Sequence, residues 1–380
     1  MKRFLQALLH YPAFVPLLLY HVLRVSFQRL CGRRCIVYNM HHDYFLDAFV
    51  PVLRHLDSDP RMRVFISCPD DAALVAYVKA THGAARLLPS YVSPFVPFNL
   101  FLTAELTGPD MPARWLRTPS VVMYHGTGVY DLWSRSEVVR RFDAHCAVGP
   151  QFRETIEELS AGWKRRPRIY NVGYPKTDAL ARALAPRASA TARPVVLFAP
   201  HWAPTGTLHV FGDELIEMLS QYPVDIVVKV HHYLFTKYPQ MRWQERLAGW
   251  ETRFPRVTIG RIPSTQEYYP TASLLVTDTG TTAGLEYSLL GKPLAVHENR
   301  RWFDGRVHAE VEAAILDAAF TFSTTEQLGA IVKATLVDQS NGSACARQRE
   351  AQQALVQRFL YNPGTAASAA FNAICSELRL

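Results

Sequence analysis

Few features of this sequence point to bound metals, disulfide bonds or disorder. Its 380 residues include only six cysteines, and the two closest, Cys31 and Cys35, have no second pair or histidine cluster that would complete a zinc site. No low-complexity tract interrupts a composition that is 49% apolar and 19% charged, which is enough to build full hydrophobic cores. We therefore predict an intracellular protein with reduced thiols, two domains of ordinary size, no metal and no cofactor.

Acidic residues are missing from the first 34 positions, and this absence locates the charge. Six of the eight net positive charges lie there, so the rest of the chain carries only +2. A nearly neutral body argues against nucleic acid as a partner. The six basic residues are Lys2, Arg3, Arg24, Arg29, Arg33 and Arg34.

The chain also lacks a long uninterrupted apolar run. Residues 4–23 are mostly apolar, but Gln6, His10, His21 and two prolines interrupt them. No small-residue cleavage site follows, so a removed signal peptide is not expected. We expect residues 1–34 to form an apolar, basic helical segment that lies peripherally on the cytoplasmic face of the cell membrane and binds anionic lipid. The alternatives are a single spanning helix and a helix packed on the protein itself.

Short apolar runs alternate with helical patterns through the rest of the chain, which predicts parallel sheets covered by helices. The first set of strands is expected at residues 35–39, 63–67, 86–88, 100–104, 120–124 and 144–149. The second set is expected at residues 195–199, 224–230, 256–259, 273–277 and 293–296. An Ala/Arg/Pro stretch at 183–194 separates the two sets.

This pattern predicts an α/β protein of GT-B type, in which two doubly wound Rossmann-like domains face a central cleft. Residues 35–182 would form the N-terminal, acceptor-side domain and residues 190–340 the C-terminal, nucleotide-binding domain. The helices of residues 341–380 are expected to pack back toward the first domain.

One predicted strand ends in a histidine. Residues 121–128 read Val-Val-Met-Tyr-His-Gly-Thr-Gly, a β-prone run that leads into a glycine turn and places His125 at the carboxyl edge of the sheet. Ligands bind at this edge in open α/β sheets, and an imidazole can accept a proton from a hydroxyl near neutral pH. His125 is therefore a candidate catalytic base, with Gly126 and Thr127 as candidate binding residues. The alternative is a core or capping histidine.

A second strand ends in a loop of small hydroxyl residues. The run Val-Thr-Asp-Thr-Gly-Thr-Thr (276–282) leads into a helix, whose first backbone N–H groups would bind a diphosphate. Glu286, about one turn further on, would accept hydrogen bonds from ribose hydroxyls. The alternative is a capped helix without a ligand. The candidate binding residues in the loop are Asp278, Thr279, Gly280, Thr281 and Thr282.

Other strand ends contribute further candidates. Lys229, His231 and His232 follow a strand, and His231 is a candidate for stabilising charge on the leaving group. Strand alternation puts His231 and His232 on opposite sides, so that only one reaches the site. Adjacent histidines without carboxylates also argue against a metal. Further candidates are Pro200 and His201 after the 195–199 strand, Lys176 in a Gly/Pro turn, and, with structural roles equally possible, residues 39–43 where an acceptor would approach.

The order of these motifs resembles the CDP-glycerol glycerophosphotransferase family, whose members build teichoic acid and related capsule polymers. The resemblance spans roughly residues 120–300. It implies a GT-B fold, peripheral membrane attachment and no metal requirement. His125 corresponds to the family's catalytic histidine, His231 to the histidine of its Lys-x-His-Pro motif, and loop 278–282 to its Asp-Tyr-Ser-Ser phosphate loop.

We therefore expect a transferase that moves glycerol phosphate from CDP-glycerol to a hydroxyl of a lipid-linked or polymeric glycan acceptor. A nucleotide-sugar glycosyltransferase of GT-B fold, using a UDP- or CMP-sugar, is the first alternative, because the spacing from Glu286 to Lys292 also resembles sugar-transferring enzymes. A non-catalytic nucleotide- or glycan-binding protein is the alternative of another class.

Overall fold

The computed structural model describes residues 2–104, 106, 110–124, 126, 136–182, 193–262, 264–298 and 309–380. They fall into two compact units. The first unit contains the described residues of Met1–Gly126, Leu132–Asp178 and Leu360–Leu380, and the second contains those of Ala179–Phe359.

A seven-stranded parallel sheet forms the centre of the first unit. Its strands are β1 Arg34–Asn39, β2 Met62–Cys68, β3 Leu87–Pro89, β4 Leu100–Thr103, β5 Ser120–Met123, β6 Ala144–Ala147 and β7 Arg168–Asn171. The strand order is β3-β2-β1-β4-β5-β6-β7. The direction of winding therefore reverses between β1 and β4, and residues that follow these two strands lie at the switch point where doubly wound sheets bind ligands.

Helices cover this sheet. They are α1 Lys2–His10, α2 Phe14–Leu30, α3 Asp43–Ser58, α4 Ala72–His82, α5 Ser136–Val139, α6 Pro150–Ser160, the start of α7 Asp178–Arg182, and the C-terminal α16 Ala366–Leu378. Buried residues at helical spacing on α3, Leu46, Phe49, Leu53 and Leu56, join the core beneath the sheet. The helix continues through Pro51.

The Gly-Tyr-Pro-Lys-Thr-Asp segment (residues 173–178) holds the last helix in place. The buried carboxylate of Asp178 accepts the backbone N–H groups of Ala366 (2.9 Å) and Ala367 (2.8 Å). It thus caps the first turn of α16 from a position 188 residues earlier. Gly173 has φ +92°, and a Cβ there would lie 2.0 Å from the carbonyl oxygen of Tyr361. Only glycine allows the chain to pass this close.

A six-stranded parallel sheet forms the centre of the second unit. Its strands are β8 Val195–Ala199, β9 Asp225–Val228, β10 Val257–Ile259, β11 Leu274–Asp278, β12 Leu294–His297 and β13 Phe320–Phe322. The order β10-β9-β8-β11-β12-β13 is that of a doubly wound Rossmann sheet. Its switch point lies between β8 and β11, where Thr277 pairs with Ala199.

The helices of the second unit pack on this sheet around a separate apolar core. They are α8 Thr207–Val210, α9 Asp213–Ser220, α10 Tyr233–Lys237, α11 Trp243–Arg253, α12 Ala283–Ser288, α13 Ala309–Asp317, α14 Thr325–Val332 and α15 Gly342–Phe359. The C-terminal helices divide between the units: α15 packs on α12 and α13, whereas α16 packs on α3.

Candidate functional site

The hydroxyl loop of the second unit follows β11 directly, at the switch point. Gly280 turns the chain with φ +81°, and the Thr281 hydroxyl donates to the carbonyl of Asp278 (3.2 Å). Thr282 is the N-cap residue of α12, but among the described residues its side chain makes no capping hydrogen bond. The hydroxyls therefore do not serve as ordinary helix caps. This arrangement is consistent with a ligand-binding loop.

Asp278 connects this loop to the end of the neighbouring strand. Its buried carboxylate accepts the backbone N–H groups of His201 (2.7 Å) and Thr207 (2.8 Å) and the hydroxyl of Thr207 (3.0 Å). The ring of His297, from the adjacent β12, lies 3.3 Å away. Asp278 is thus engaged within the protein, and it fixes the turn after β8 against the end of β11.

Two histidines at this edge have the same internal hydrogen bond. The Nδ1 atom of His201 accepts the N–H of Ala203 (3.0 Å), and the Nδ1 atom of His231 accepts the N–H of Tyr233 (3.1 Å). Because Nδ1 is an acceptor, the neutral ring carries its proton on Nε2. Both imidazoles are therefore set up as N–H donors, which suits contact with phosphate oxygens.

The electrostatics of His231 agree with a neutral donor. Part of the ring is exposed, but desolvation lowers its pKa, and the neighbouring imidazoles and lysines lower it further. The nearby Lys229 is half-buried, and desolvation lowers its pKa as well. His231 is therefore neutral at physiological pH, with Nε2–H available as a donor.

The expectation that His231 and His232 point to opposite sides is wrong. Strand β9 ends at Val228, so the alternation of side chains does not reach these residues. They lie in the turn before α10, and their rings stack with centroids 4.3 Å apart. Both histidines therefore share one side of the edge.

An aromatic group lies beside the histidines, and it includes Trp202 of the Pro-His-Trp turn, which the sequence suggests as a cleft residue. The Lys237 ammonium is 4.1 Å from the centre of the Trp202 ring and 4.4 Å from that of Tyr233. Trp202 also stacks on His201, with centroids 5.1 Å apart. Trp202 lies in the turn after β8, and Tyr233 and Lys237 lie on α10. Together they form a cationic, aromatic cluster beside the histidines.

Glu286 and Pro200 are both buried. The Oε2 atom of Glu286 accepts a hydrogen bond from Gln266 (2.9 Å) and one from the hydroxyl of Tyr269 (3.4 Å). Glu286 is thus held by the segment that precedes β11. Pro200 forms the turn that carries His201.

Only some of the candidate residues from the first unit lie in the described part of the chain. His125 and Thr127 lie outside the described residues, and of that motif only Gly126 is described. Lys176 is half-buried in the 3-10 turn Pro175–Thr177. Its neighbours in that motif, Gly173 and Asp178, have structural roles.

A polar network does lie at the switch point of the first sheet. His41, after β1, places Nε2 3.3 Å from the carboxylate of Asp110. Buried Asn39 accepts the N–H of Asp110 (3.2 Å) and donates to the hydroxyl of Ser67 (3.3 Å). This network links the residues that follow β1 to Asp110 and to the end of β2. Within the described ranges no group of three or more His, Cys, Asp or Glu residues is placed to hold a metal ion.

Two doubly wound parallel units in one chain, each with polar residues at its switch point, define a GT-B-type α/β fold, as predicted from the sequence. Comparison of the coordinates with solved structures agrees. The wall teichoic acid polymerase TagF is similar with a TM-score of 0.64 and 14% identity, covering 100% of this chain and 98% of that chain. A TagF variant soaked with CDP-glycerol gives a TM-score of 0.65 at 15% identity, with the same coverage.

Nucleotide complexes of other proteins share the fold. The MnaA–UDP structure from S. aureus has a TM-score of 0.61 and 13% identity, covering 91% of this chain and 97% of that chain. HepE from Anabaena, in complex with UDP and glucose, has a TM-score of 0.52 and 14% identity, covering 90% and 100%. No protein-family profile matches the chain, and no curated protein matches it by sequence. At these identities the comparisons show the fold.

Proposed function

We propose that this protein is a transferase that moves glycerol phosphate from CDP-glycerol to a hydroxyl of a lipid-linked or polymeric glycan acceptor. The observation that carries the proposal is the edge of the second sheet, where a hydroxyl loop and two N–H-donating imidazoles lie together at the switch point. These groups suit a nucleoside diphosphate. A TagF variant with this fold was crystallised with CDP-glycerol, so we take CDP-glycerol as the first donor to test.

Each residue has a defined part in the proposed reaction. The acceptor hydroxyl attacks the phosphorus that carries glycerol, its proton passes to His125, and CMP leaves with the electron pair of the broken P–O bond. The Nε2–H groups of His201 and His231 would donate to the phosphate oxygens, where negative charge develops. Asp278 would act indirectly, by holding the turn that carries His201.

A donor screen tests the reaction. Purified protein is supplied with an acceptor and with CDP-glycerol, CDP-ribitol, UDP-sugars or CMP-sugars, and the release of nucleotide is measured. We expect CMP release from CDP-glycerol. His125→Ala should lose about 10²–10⁴-fold in rate with little change in nucleotide binding, whereas the control His82→Ala, on α4, should retain activity.

A nucleotide-sugar glycosyltransferase is the second candidate, because the similar structures from S. aureus and Anabaena contain UDP. Turnover of a UDP-sugar with none of CDP-glycerol would favour it and would exclude our first choice. Nucleotide binding without turnover of any donor would instead indicate a non-catalytic binding protein.

We also propose that the first two helices bind the surface of an anionic membrane. On α2, five apolar side chains between 53% and 87% exposed form one stripe at intervals of three or four residues, while Phe14 and Val25 on the other side are buried. The stripe consists of Val15, Leu19, Leu23, Phe27 and Leu30. Leu5, Leu8 and Leu9 of α1 are also exposed.

The helices are held firmly enough to present this stripe. Phe14 contacts Phe95 of the first unit (5.6 Å between ring centres), and Tyr11 stacks on Tyr91 (3.9 Å). Trp115, which is 59% exposed, stacks on Phe95 and extends the apolar surface. The N-terminal basic residues would attract anionic lipid. No helix in the described part of the chain is long and apolar enough to cross a membrane.

Vesicle binding tests this part of the proposal. The protein should co-sediment with anionic vesicles and be partly released by high salt. The double variant Leu23→Glu/Phe27→Glu should lose binding, because each buried apolar side chain contributes about 1–2 kcal/mol. Val337→Glu, which places the same charge on an exposed apolar position of the second unit, is the control. Equal binding by all three proteins would refute the membrane role.

A further inference from the structure

A buried carboxylate lies behind the hydroxyl loop, and no part of the proposed reaction uses it. Glu312 is on α13, on the same face as the buried residues Val311 and Ile315, and is only 1% exposed. Neither of its carboxylate oxygens has a hydrogen-bond partner in the described structure. Unpaired buried carboxylates are costly and rare, so this one calls for an explanation.

The surroundings of Glu312 place it against the ligand loop. The backbone N–H of Gly280 lies close enough to favour its ionised form. Helices α12 and α13 touch directly, since a Cβ on Gly284 would lie 2.8 Å from Ile315. The hydroxyl of Thr279, next to Gly280, is also buried without a partner. Among the described residues, two buried polar groups without a hydrogen-bond partner therefore lie next to Gly280.

In the described part of the chain, charged groups that face α13 from the neighbouring elements bond elsewhere: Glu286 of α12 accepts from Gln266 and Tyr269. On α15, Arg358 pairs with the exposed Glu310, and the buried residues facing inward, Gln348 and Gln352, are neutral. Strand β13 contributes no charge. Beyond the loop, the carboxylate of Asp278 is engaged by backbone N–H groups and a hydroxyl.

Burial therefore controls the protonation of Glu312. Desolvation raises its pKa from the ordinary value of 4.5 to about 7, and the N–H of Gly280 acts in the opposite direction. The carboxyl is thus close to half protonated at neutral pH. A negative charge brought to the loop would oppose its ionisation further.

We infer that Glu312 is a positioning residue that supports Gly280, and that it takes up a proton when a diphosphate binds the loop. This inference rests on the proposed nucleotide site and adds a pH dependence to it. The protonated acid is neutral and coexists with the bound anion, whereas the ionised form repels it. Affinity should therefore weaken as the pH rises above 7, by up to tenfold per pH unit.

Calorimetry with CDP tests this coupling. Binding is measured at pH 6.5 and pH 8.5, in two buffers of different ionisation enthalpy, so that proton uptake is counted. From pH 6.5 to 8.5 the wild-type protein should lose roughly tenfold or more in affinity relative to Glu312→Gln, and should take up as much as one proton more. Glu310→Gln, which removes an exposed carboxylate from the same helix, should behave like wild type. Identical pH dependence and proton uptake in wild type and Glu312→Gln would overturn the inference.

A measurement without ligand separates this inference from the proposed function. The backbone amide signal of Gly280 in an NMR pH titration should shift with a midpoint near 7 in the wild type and not in Glu312→Gln. If CDP, UDP and pyrophosphate all fail to bind the wild type, the proposed nucleotide site is wrong. The Gly280 titration then decides the positioning role alone, and an unchanged amide signal would refute it.

Discussion

Replacing Glu312 by glutamine should stabilise the second unit at alkaline pH. The folded state holds the pKa of this carboxyl at about 7, against 4.5 in the unfolded chain. Between these values the folded state binds more protons than the unfolded state, so the free energy of unfolding falls as the pH rises. A difference of 2.5 pH units corresponds to about 3 kcal/mol at pH 8, above both pKa values.

Glutamine has nearly the same shape as the protonated acid and cannot ionise, so the variant should lack this loss. Urea denaturation at pH 5 and pH 8, followed by tryptophan fluorescence, measures the effect. We expect wild type and Glu312→Gln to differ little at pH 5, and the variant to be more stable by about 3 kcal/mol at pH 8. Glu310→Gln is the control for losing a carboxylate from α13.

A difference between wild type and Glu312→Gln that is the same at both pH values would refute this reasoning. It would mean that the variant changes packing, and that Glu312 does not titrate in the expected range. A wild type more stable than the variant at pH 8 would show that the carboxylate is paired in solution.

Three further predictions concern other residues. Asp178→Ala should destabilise the first unit by about 2–4 kcal/mol in urea denaturation, because two helix N–H groups lose their acceptor. His145 is fully buried, accepts a hydrogen bond from the Tyr124 hydroxyl (2.7 Å) and has its pKa lowered by desolvation to about 4. The unfolded chain therefore binds more protons than the folded state, and the first unit should lose about 3 kcal/mol of stability as the pH falls from 6.5 to 4. His145→Gln should reduce this pH dependence. Thr282→Ala should weaken CDP binding by about 1–2 kcal/mol without lowering the melting temperature. Thr281→Ala should weaken CDP binding and also lower the melting temperature, because of the two hydroxyls only that of Thr281 has hydrogen bonds to other described residues.

The sequence was informative about the fold where a strand is buried on both faces. The apolar runs at 35–39, 195–199 and 273–277 correspond to β1, β8 and β11, which lie in the middle of their sheets. Strand β7 was missed because Arg168–Asn171 is an edge strand with exposed ends and little apolar character. Strand β13 was missed because it has only three residues. Short edge strands depend on their neighbour for pairing, and a local pattern does not contain that neighbour.

For the candidate site, the sequence predicts at which strand ends the residues lie, but not which hydrogen bonds they make. Strand ends could be located from the sequence, and because β8, β9 and β11 are neighbours in one parallel sheet, the residues that follow them lie at one edge. Their hydrogen bonds could not be located, because the partners are distant in the chain. Asp278, for example, is bonded to Thr207, 71 residues away. Glu312 did leave a sequence signal, a carboxylate between apolar residues on one face of a helix, but only the structure shows that it lies against Gly280.

Three ionisable groups at or behind the edge of the second sheet share one property that bears on binding. Burial raises the pKa of the acid Glu312 and lowers those of the bases His231 and Lys229. Each of these three pKa shifts therefore favours the uncharged form of its group in the protein without ligand. A bound diphosphate would reverse the shifts of the bases and increase that of the acid, because its negative charge favours protons on all three. Of these three groups, only Glu312 has a pKa near neutrality. Its uptake of a proton should therefore be the largest contribution of the three to the proton balance of nucleotide binding in the physiological range.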